Sequence, residues 1–272
     1  MNYGVQLFGC SQEFRRNTSG FFAKMKEIGI GEIEPCLMFD DPIAFREAAE
    51  KRGDRFAASF PSLLWLPPEV PRLCGELRDA GLTLRSAHAF VADPLGAKDV
   101  MIATAAENGI QAYVLNVPPR AFEDPKAFSR ELSTLAQALA EKKVELWLHC
   151  SGKDVAQKVE GDSLYRWLLK DCGNLGAQPD LGWILLGGEE PYAYTKSLGT
   201  ALRSLHFKDI APDYEKKTET DVFAVLGDGC LDTKKLLTLA ADESISVIID
   251  QDFSRGDFIE DLARSVRALN QA

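Results

Sequence analysis

Histidine and acidic residues stand where several apolar runs of the chain end, and side chains of these types can bind a metal or move protons. All three histidines, His88, His149 and His206, hold such places, and so do Asp180 and Asp250. Neutral imidazoles and carboxylates are ligands suited to zinc, manganese, iron or cobalt. The spacing leaves two interpretations open: a divalent metal site built from His149, Asp180, His206 and Asp250, or a buried polar network.

The stretch RSLHFKDI, residues 203–210, places two charged residues directly after a histidine. Lys208 is suited to bind a ligand oxygen or a phosphate as a point charge, and a surface salt bridge is the alternative. Asp209 is interpreted as a residue that structures the following loop or supports the site. Trp183 either forms an apolar wall beside a ligand or packs in the core.

Short apolar runs alternate with helical patterns along the whole chain, and this order predicts the fold. Runs such as VELWLHC and SVIID are apolar nearly throughout, which is typical of strands buried on both faces. About eight strands and eight helices in alternation indicate a parallel sheet covered by helices. At this chain length they favour an α/β fold with a single closed (β/α)8 TIM barrel over an open sheet. The run AQPDLGW, residues 177–183, is the predicted sixth strand. GDGCLD, residues 227–232, predicts a turn before a helix that Asp232 caps, and a glycine-rich phosphate loop is the alternative.

The region 40–68 fits this alternation poorly. It holds the helix-like PIAFREAAEKRG and then the aromatic, proline-bearing FAASFPSLLWLPP. We interpret it as an enlarged loop after the second strand, within one domain of residues 1–272. Long ordered loops in compact domains are often lids or binding loops. An extra surface helix with a packed aromatic anchor is the alternative.

The composition disfavours several classes of partner. The chain has 272 residues, 46% hydrophobic residues and a net charge of −10. An acidic surface repels phosphate backbones, so we expect no nucleic-acid partner. No run approaches the ~20 apolar residues that a membrane helix needs, so we expect no membrane partner. Six scattered cysteines without a CxxC pair predict buried free thiols in the reducing cytoplasm.

Catalytic side chains of a TIM barrel lie at the carboxyl ends of its strands, so the residues that end the predicted strands are the candidate site residues. In chain order these residues are Cys10 with Gln12, Glu34, His88, Asn116, His149, Asp180, His206, and Asp250 with Gln251 and Asp252. The four potential metal ligands end strands five to eight, which are consecutive. We therefore expect their side chains to converge on one side of the barrel mouth.

Several motifs resemble the sugar phosphate isomerase/epimerase family, the xylose-isomerase-like TIM barrels. The opening GVQLF…FFAKMKEIGIGEIEP is similar to the family's first strand, first helix and second strand, which ends in glutamate and proline. LRDAGLTLRSAH resembles the third unit, and LGDGCLDTKKLL and VIIDQD resemble the last. QPDLGWILLGGEEPYAYTKSLGTALRSLHFKDI has aspartate, tryptophan and His-x-Lys-Asp in the family's order. The resemblance covers nearly the whole chain, and it is specific for the family rather than for a substrate.

The resemblance implies a divalent metal cofactor, such as manganese, zinc, cobalt or magnesium, and a small-molecule carbohydrate substrate. Family members hold the metal with glutamate, aspartate, histidine and glutamate. Asp180 and His206 match two of these ligands directly, and His149 and Asp250 stand at the two glutamate positions. Many relatives carry His-Asn-His and a later glutamate in the fifth strand, where this chain has HCSGKD, residues 149–154.

The activity implied by the resemblance is isomerisation or epimerisation of a sugar, sugar phosphate or polyol through an enediolate. The metal would hold two adjacent substrate oxygens, and two protein groups would remove and return a carbon-bound proton. Asp250 or Glu34 would be one of these groups and His149 the other, while Lys208 would stabilise the oxyanion. The residues that would contact the substrate are His88, Asn116, Trp183 and Asp209.

Three other functions are open at this point. A lyase or dehydratase on the same scaffold would share the enolate step. A barrel that had lost its catalytic acids would bind a sugar or a partner protein. A metal-dependent endonuclease is disfavoured by the acidic charge and by the small number of histidines.

A homodimer is plausible because many TIM barrels form dimers, although no residue of this sequence indicates it.

Overall fold

The computed structural model describes residues 3–9, 14, 17–51, 53–54, 59–60, 63–242 and 244–272. Cys10 and Gln12, which we predicted at the end of the first strand, lie outside the described residues. None of the described helices is long and apolar enough to cross a membrane.

Most of the described strands form two parallel sheets, and these two sheets together make up the wall of one barrel. In chain order the strands are β1 (Tyr3–Gln6), β2 (Ile30–Glu34), β3 (Cys36–Met38), β4 (Ser86–Phe90), β5 (Ala112–Asn116), β6 (Glu145–His149), β7 (Lys158–Val159), β8 (Asp162–Ser163), β9 (Gly176–Gln178), β10 (Ser204–Phe207), β11 (Asp209–Ile210), β12 (Phe223–Ala224) and β13 (Ser246–Ile249). One sheet has the order β10-β13-β1-β2 and the other β3-β4-β5-β6-β9, while β7 with β8 and β11 with β12 form small antiparallel pairs.

Two seams join these sheets into an eight-stranded barrel. At one seam β2 and β3 follow each other directly, separated by Pro35, and together serve as the second barrel strand. At the other seam, isolated parallel bridges link Ala177 to Leu202 and Asp180 to His206, which connects β9 with β10. The predicted α/β TIM barrel is therefore confirmed.

Helices alternate with these strands and cover the outside of the barrel. Among the described residues the α-helices are Thr18–Glu27, Pro42–Lys51, Val70–Asp79, Pro94–Asn108, Pro119–Glu123, Pro125–Ala140, Gly152–Ala156, Leu164–Cys172, Leu181–Leu186, Pro191–Lys196, Thr233–Leu237 and Phe258–Gln271. Local sequence sets their ends: Asp93 and Asp124 accept hydrogen bonds from backbone N–H groups of the first turn, and a proline follows each of them. Gly109 ends one helix at a φ of 73°, where a side chain would be strained.

The strands are buried on both faces, as their continuous apolar runs predict. In β6 the side chains from Leu146 to His149 are all buried, and in β13 all four residues are buried. Leu148, on β6, belongs to the largest hydrophobic core cluster together with residues of the outer helices, such as Leu132 and Leu168. This packing fixes the strand ends, and with them the polar residues at the barrel mouth.

The region 40–68 contributes an aromatic cluster beside the second and third barrel strands. Its helix, Pro42–Lys51, agrees with the helical pattern of the sequence. Phe60 lies 6.1 Å from Phe45 and 5.6 Å from Phe90 between ring centroids, and Trp65 is buried against β3. The described part of the region is thus a packed aromatic anchor, and a role as a binding loop stays a prediction.

The sixth barrel strand is shorter than the sequence predicts. β9 ends at Gln178, whereas the run AQPDLGW suggested a strand as far as Trp183. Pro179 has no N–H for a strand ladder, and the carboxylate of Asp180 accepts a hydrogen bond from the Trp183 N–H, which starts a helix.

The described cysteines are all free, but Cys230 is exposed, so the prediction of buried thiols holds for only some of them.

Candidate active site

The three histidines, which come from distant parts of the chain, meet inside the carboxyl end of the barrel. His88 lies in the middle of β4, His149 ends β6, and His206 lies in β10. Their ring centroids are separated by 5.1 Å between His88 and His149, 5.4 Å between His88 and His206, and 4.8 Å between His149 and His206. Parallel strands of a closed barrel bring these positions together because side chains on the inner face converge near the axis.

Two aspartates complete a potential metal site with two of these histidines. Asp180 precedes the helix Leu181–Leu186, and Asp250 directly follows β13. One ligand atom from each of His149, Asp180, His206 and Asp250 lies within 4.8 Å of the others, and all four residues are buried. We call these four residues the His–Asp cluster. The structure thus brings together the four residues that we predicted as metal ligands.

Several polar atoms of the His–Asp cluster have no hydrogen-bond partner among the described residues. They are His149 Nε2, Asp180 Oδ2 and Asp250 Oδ1, and all are buried. Each buried polar atom left in this state costs about 1–3 kcal/mol. Unused acceptor atoms of this kind, gathered on imidazole and carboxylate groups, fit a bound divalent cation.

Glu34, at the end of β2, is held by four side chains. Its Oε1 accepts hydrogen bonds from Ser86 Oγ at 2.5 Å and Gln178 Nε2 at 2.8 Å. Its Oε2 lies 2.7 Å from His206 Nε2 and 3.2 Å from His88 Nε2. Burial alone would raise the pKa of Glu34, but the electrostatic interactions and hydrogen bonds with the imidazoles of His206 and His88 hold it well below its ordinary value. The carboxylate is therefore ionised and fully engaged.

His206 bridges two carboxylates. Its Nε2 donates to Glu34, and its Nδ1 lies 3.0 Å from Asp250 Oδ2. Burial alone would lower the pKa of His206, but the charge of Glu34 and the hydrogen bond to Asp250 outweigh it and raise the pKa to about 10. In the metal-free protein His206 is consequently an imidazolium that donates from both ring nitrogens.

Lys208, two residues after His206, points into the same cluster. Its Nζ lies 3.0 Å from Asp250 Oδ2 and 3.6 Å from Asp180 Oδ2, and it donates a hydrogen bond to Asp252. The residue is 3% exposed. Burial alone would lower the pKa of Lys208, but these three carboxylates raise it above its ordinary value. A charged ammonium therefore lies against the carboxylates of the site.

Burial shifts the pKa values of the other two members of the His–Asp cluster, His149 and Asp180, toward their uncharged forms. Burial lowers the pKa of His149 well below its ordinary value, and electrostatic interactions with the imidazoles of His206 and His88 lower it further. Burial raises the pKa of Asp180 to about 6, against the opposing effect of Lys208. His149 is therefore a neutral imidazole near pH 7, with its Nε2 free to accept a proton or bind a metal.

The residues predicted to contact the substrate occupy different positions. His88 lies inside the barrel, and its Nε2 is 3.0 Å from Gln178 Oε1. Asn116 ends β5, is exposed, and lies opposite His149 in the strand register. The half-buried ring of Trp183 lies 5.5 Å from Phe223 and 5.5 Å from Lys208 Nζ, so it forms an apolar wall beside the cluster.

Asp209 faces away from the cluster and structures a loop. Its carboxylate accepts hydrogen bonds from the backbone N–H groups of Ile210, Gly227, Gly229 and Leu231. Three of these bonds use amides of GDGCLD, which therefore bind a carboxylate of the protein itself. The turn and the helix cap by Asp232 agree with the sequence prediction, because Asp232 accepts from the Lys235 N–H.

Asp209→Ala should therefore destabilise the fold. The substitution leaves four backbone donors without their charged acceptor, and hydrogen bonds to charged groups contribute about 1.5–3 kcal/mol each, so we expect a loss of roughly 3 kcal/mol or more. Chemical denaturation followed by circular dichroism measures it. Asp213→Ala, at an exposed position of the loop that follows β11, is the control and should change stability by less than about 0.5 kcal/mol. Equal effects of the two substitutions would contradict the loop role.

Ser86 and Gln178 take part in the site but were not among the residues predicted from the sequence. Each stands two positions from a predicted metal ligand or substrate contact, as does Asp252, which was a candidate site residue without an assigned role. Side chains two positions apart in a strand point to the same face, so a period of two was the available signal. Phe223 had no such signal, because it reaches the site from β12, a two-residue strand outside the barrel.

A cavity of about 530 Å³ adjoins this site beyond Phe223. It lies between the loops that follow β10 and β13, and its lining includes three cationic side chains. Each of them is paired with a carboxylate: Lys217 with Asp213 at 3.2 Å, Arg255 with Asp221 at 2.7 Å, and Arg264 with Asp228.

Comparison with known proteins identifies the fold. The sequence matches no family model and no curated protein at a significant level. Solved structures match over the whole chain at low identity. A sugar phosphate isomerase/epimerase from Parabacteroides distasonis is 15% identical, with a TM-score of 0.74, over 100% of this chain and 94% of its own.

Two further solved structures agree with this comparison. A 3-keto-D-glucoside 4-epimerase from E. coli is 15% identical, with a TM-score of 0.68, over 100% of both chains. A xylose isomerase domain protein from Alicyclobacillus acidocaldarius is 13% identical, with a TM-score of 0.66, over 100% of this chain and 97% of its own. The chain therefore has the fold of the sugar phosphate isomerases/epimerases and other xylose isomerase-like TIM barrels, as the sequence resemblance predicted.

Proposed function

We propose that this protein is a divalent-metal-dependent isomerase or epimerase of a sugar or related polyol, acting through an enediolate. The observation that carries the proposal is the set of buried, unpartnered atoms in the His–Asp cluster: His149 Nε2, Asp180 Oδ2 and Asp250 Oδ1. Two of the compared structures are named for isomerase or epimerase activity on sugars or sugar derivatives, which supports the reaction class through the shared fold.

Asp180, His206 and Asp250 would hold the metal. Three protein ligands leave open positions for a substrate, as in catalytic metal sites generally. A divalent ion there would hold two adjacent substrate oxygens and stabilise negative charge that develops on them. Glu34 contributes by fixing the ring of His206 through Nε2, which leaves Nδ1 directed at Asp250.

His149 would be the base that removes the carbon-bound proton. Its Nε2 is unpartnered and neutral near pH 7, so it can accept a proton and return it. Glu34 is a weaker candidate than it was on sequence alone, because four donors already surround its carboxylate. We therefore assign Glu34 as a positioning residue.

Lys208, Trp183 and Phe223 would bind the substrate. The ammonium of Lys208 is suited to an oxyanion, and the two rings offer an apolar face for the C–H side of a sugar. An unphosphorylated substrate fits best, because the cations lining the adjoining cavity are already paired with carboxylates. Asn116, exposed beside His149, would contact a substrate hydroxyl.

Proton exchange tests this function while the natural substrate is still unidentified. An enediolate mechanism exchanges the C–H next to a carbonyl with solvent, so keto sugars incubated with the Mn²⁺-loaded protein in D₂O should gain deuterium by NMR. His149→Gln should lose this exchange about 10²-fold or more and still bind Mn²⁺. Loss of Mn²⁺ binding in the same variant would mean that His149 is a fourth ligand, and its assignment as the base would be overturned.

A non-catalytic barrel that binds a sugar is the alternative outcome. Mn²⁺ binding with no exchange in a broad panel of ketoses and keto-glycosides, together with saturable binding of one of them, would favour it.

We also propose a cytoplasmic location, which the free thiols of the described residues fit, and a single domain over residues 1–272. We propose in addition that two copies of the chain form a homodimer, which light scattering tests.

A further inference from the structure

The candidate metal site of this protein already contains a cation of its own. Lys208 Nζ contacts Asp250 Oδ2 at 3.0 Å and Asp180 Oδ2 at 3.6 Å, and it donates to Asp252. Asp180 and Asp250 belong to the His–Asp cluster, and Asp180 Oδ2 is one of its unpartnered atoms. The ammonium thus shares carboxylate oxygens with any ion that would bind there.

Any ion bound to these carboxylates must lie close to the ammonium of Lys208. A dication coordinated by Asp180 Oδ2 lies about 2.1 Å from that oxygen, as divalent ions do in protein sites. Because Lys208 Nζ is 3.6 Å from the same oxygen, the two positive charges are separated by at most the sum of these distances, about 5.7 Å. Both lie at a buried site, where water screens their repulsion poorly.

In the metal-free protein, neighbouring carboxylates and aromatic rings hold the ammonium of Lys208 in place. Asp180, Asp250 and Asp252 would repel one another without a cation between them, and Lys208 is almost completely buried. The rings of Trp183 and Phe223, with centroids 5.5 and 5.3 Å from Nζ, add cation–π attraction. Together with the imidazolium of His206, which contacts Asp250, the side chain of Lys208 therefore serves as a counter-ion of these carboxylates in the metal-free protein.

We propose that Lys208 is an intramolecular competitor of the metal: its ammonium neutralises the cluster in the metal-free protein and must give up its ion pairs with Asp180 and Asp250 when a divalent ion binds. The consequence is weak, reversible metal binding. The released ammonium then becomes available to a substrate oxygen. This inference rests on the metal-binding part of the proposed function and not on the reaction itself.

Titration calorimetry with Mn²⁺ tests the competition. Removal of the charge in Lys208→Met should tighten Mn²⁺ binding about tenfold or more, since a repulsive charge at most about 5.7 Å away disappears. Lys208→Gln, which keeps a polar side chain, should tighten binding in the same direction. Lys217→Met, a lysine of the neighbouring loop that pairs with Asp213, is the matched control and should leave the affinity within about twofold.

A measurement on the unaltered protein keeps the test independent of how well the variants fold. Reductive methylation followed by mass spectrometry reports how reactive each lysine amine is. Saturation with Mn²⁺ should increase the methylation of Lys208 at least about threefold, because its amine loses carboxylate partners, and should leave Lys217 unchanged.

The opposite results overturn the proposal. If Lys208 merely supports the ligands, Lys208→Met would bind Mn²⁺ equally well or more weakly, and metal would not change its methylation. In that case the proposed function would stand, because the wild-type protein would still bind the ion. No Mn²⁺ binding by either the wild-type protein or Lys208→Met would overturn both this inference and the metal dependence of the proposed function.

Discussion

Asp180→Asn is expected to lower the affinity for Mn²⁺ at least about 100-fold while the protein remains folded. Asp180 Oδ1 accepts the Trp183 N–H at 2.9 Å, and an asparagine oxygen can keep this helix cap. Oδ2, buried and without a hydrogen-bond partner among the described residues, would be replaced by an amide NH₂ group, which donates hydrogen bonds and cannot ligate a cation. The substitution therefore removes one ligand with little change in shape.

Calorimetric titration and elemental analysis of the purified protein measure this effect. The wild-type protein should hold about one metal per chain at saturation, and Asp180→Asn and His206→Ala should hold none under the same conditions. Asp213→Asn, an exposed aspartate of the loop after β11, is the control for lost negative charge. Retention of wild-type affinity by Asp180→Asn would place the metal elsewhere and remove the basis of the proposed function.

The fold was predictable because its signals are local. Runs such as VELWLHC and SVIID needed only their own apolar residues to indicate strands buried on both faces. Gly109 and Asp232 ended and started helices as their residue types require. The sixth strand was overestimated, because the apolar residues after Pro179 also suit the helix that Asp180 caps. Apolar content alone does not separate a short strand from a short buried helix.

The composition of the site was predictable to a similar degree, because the ends of parallel strands must meet at one end of a barrel. The hydrogen bonds and ion pairs between the residues of the site were not predictable. His206 and Glu34 are 172 positions apart, and no local pattern shows that Glu34 faces two imidazoles and not a ligand. Lys208 was a partial exception: it lies two positions after the inward-facing His206 and so shares its face of the strand.

Glu34→Gln is expected to destabilise the metal-free protein by about 3–5 kcal/mol, because it removes one partner of a buried ion pair. The amide keeps the size of the side chain but loses the charge that His206 and His88 face at 2.7 and 3.2 Å. A buried imidazolium at His206 would then have only Asp250 as its carboxylate partner among the described residues. Denaturant unfolding in EDTA measures the loss.

Glu32→Gln is a matched control on the same strand and the same face. Burial raises the pKa of Glu32, and its Oε2 accepts from Ser246 Oγ at 2.9 Å without a histidine partner. Removing a charge that burial already disfavours should change stability by less than about 1 kcal/mol. Equal destabilisation by the two substitutions would contradict the assignment of Glu34 as the anionic partner of the histidines.

The pH dependence separates this ion pair from simple packing. The raised pKa of His206 stabilises the folded state fully below its ordinary value of 6.5, and this contribution is lost as the pH rises through about 10. The lowered pKa of Glu34 stabilises the folded state above its ordinary value of 4.5 and is lost only as the pH falls through that lowered value. The difference in stability between wild type and Glu34→Gln should therefore be largest between about pH 4.5 and 6.5 and shrink toward pH 10. A difference that stays constant from pH 6 to pH 10 would mean that Glu34 acts through its shape and not through its charge.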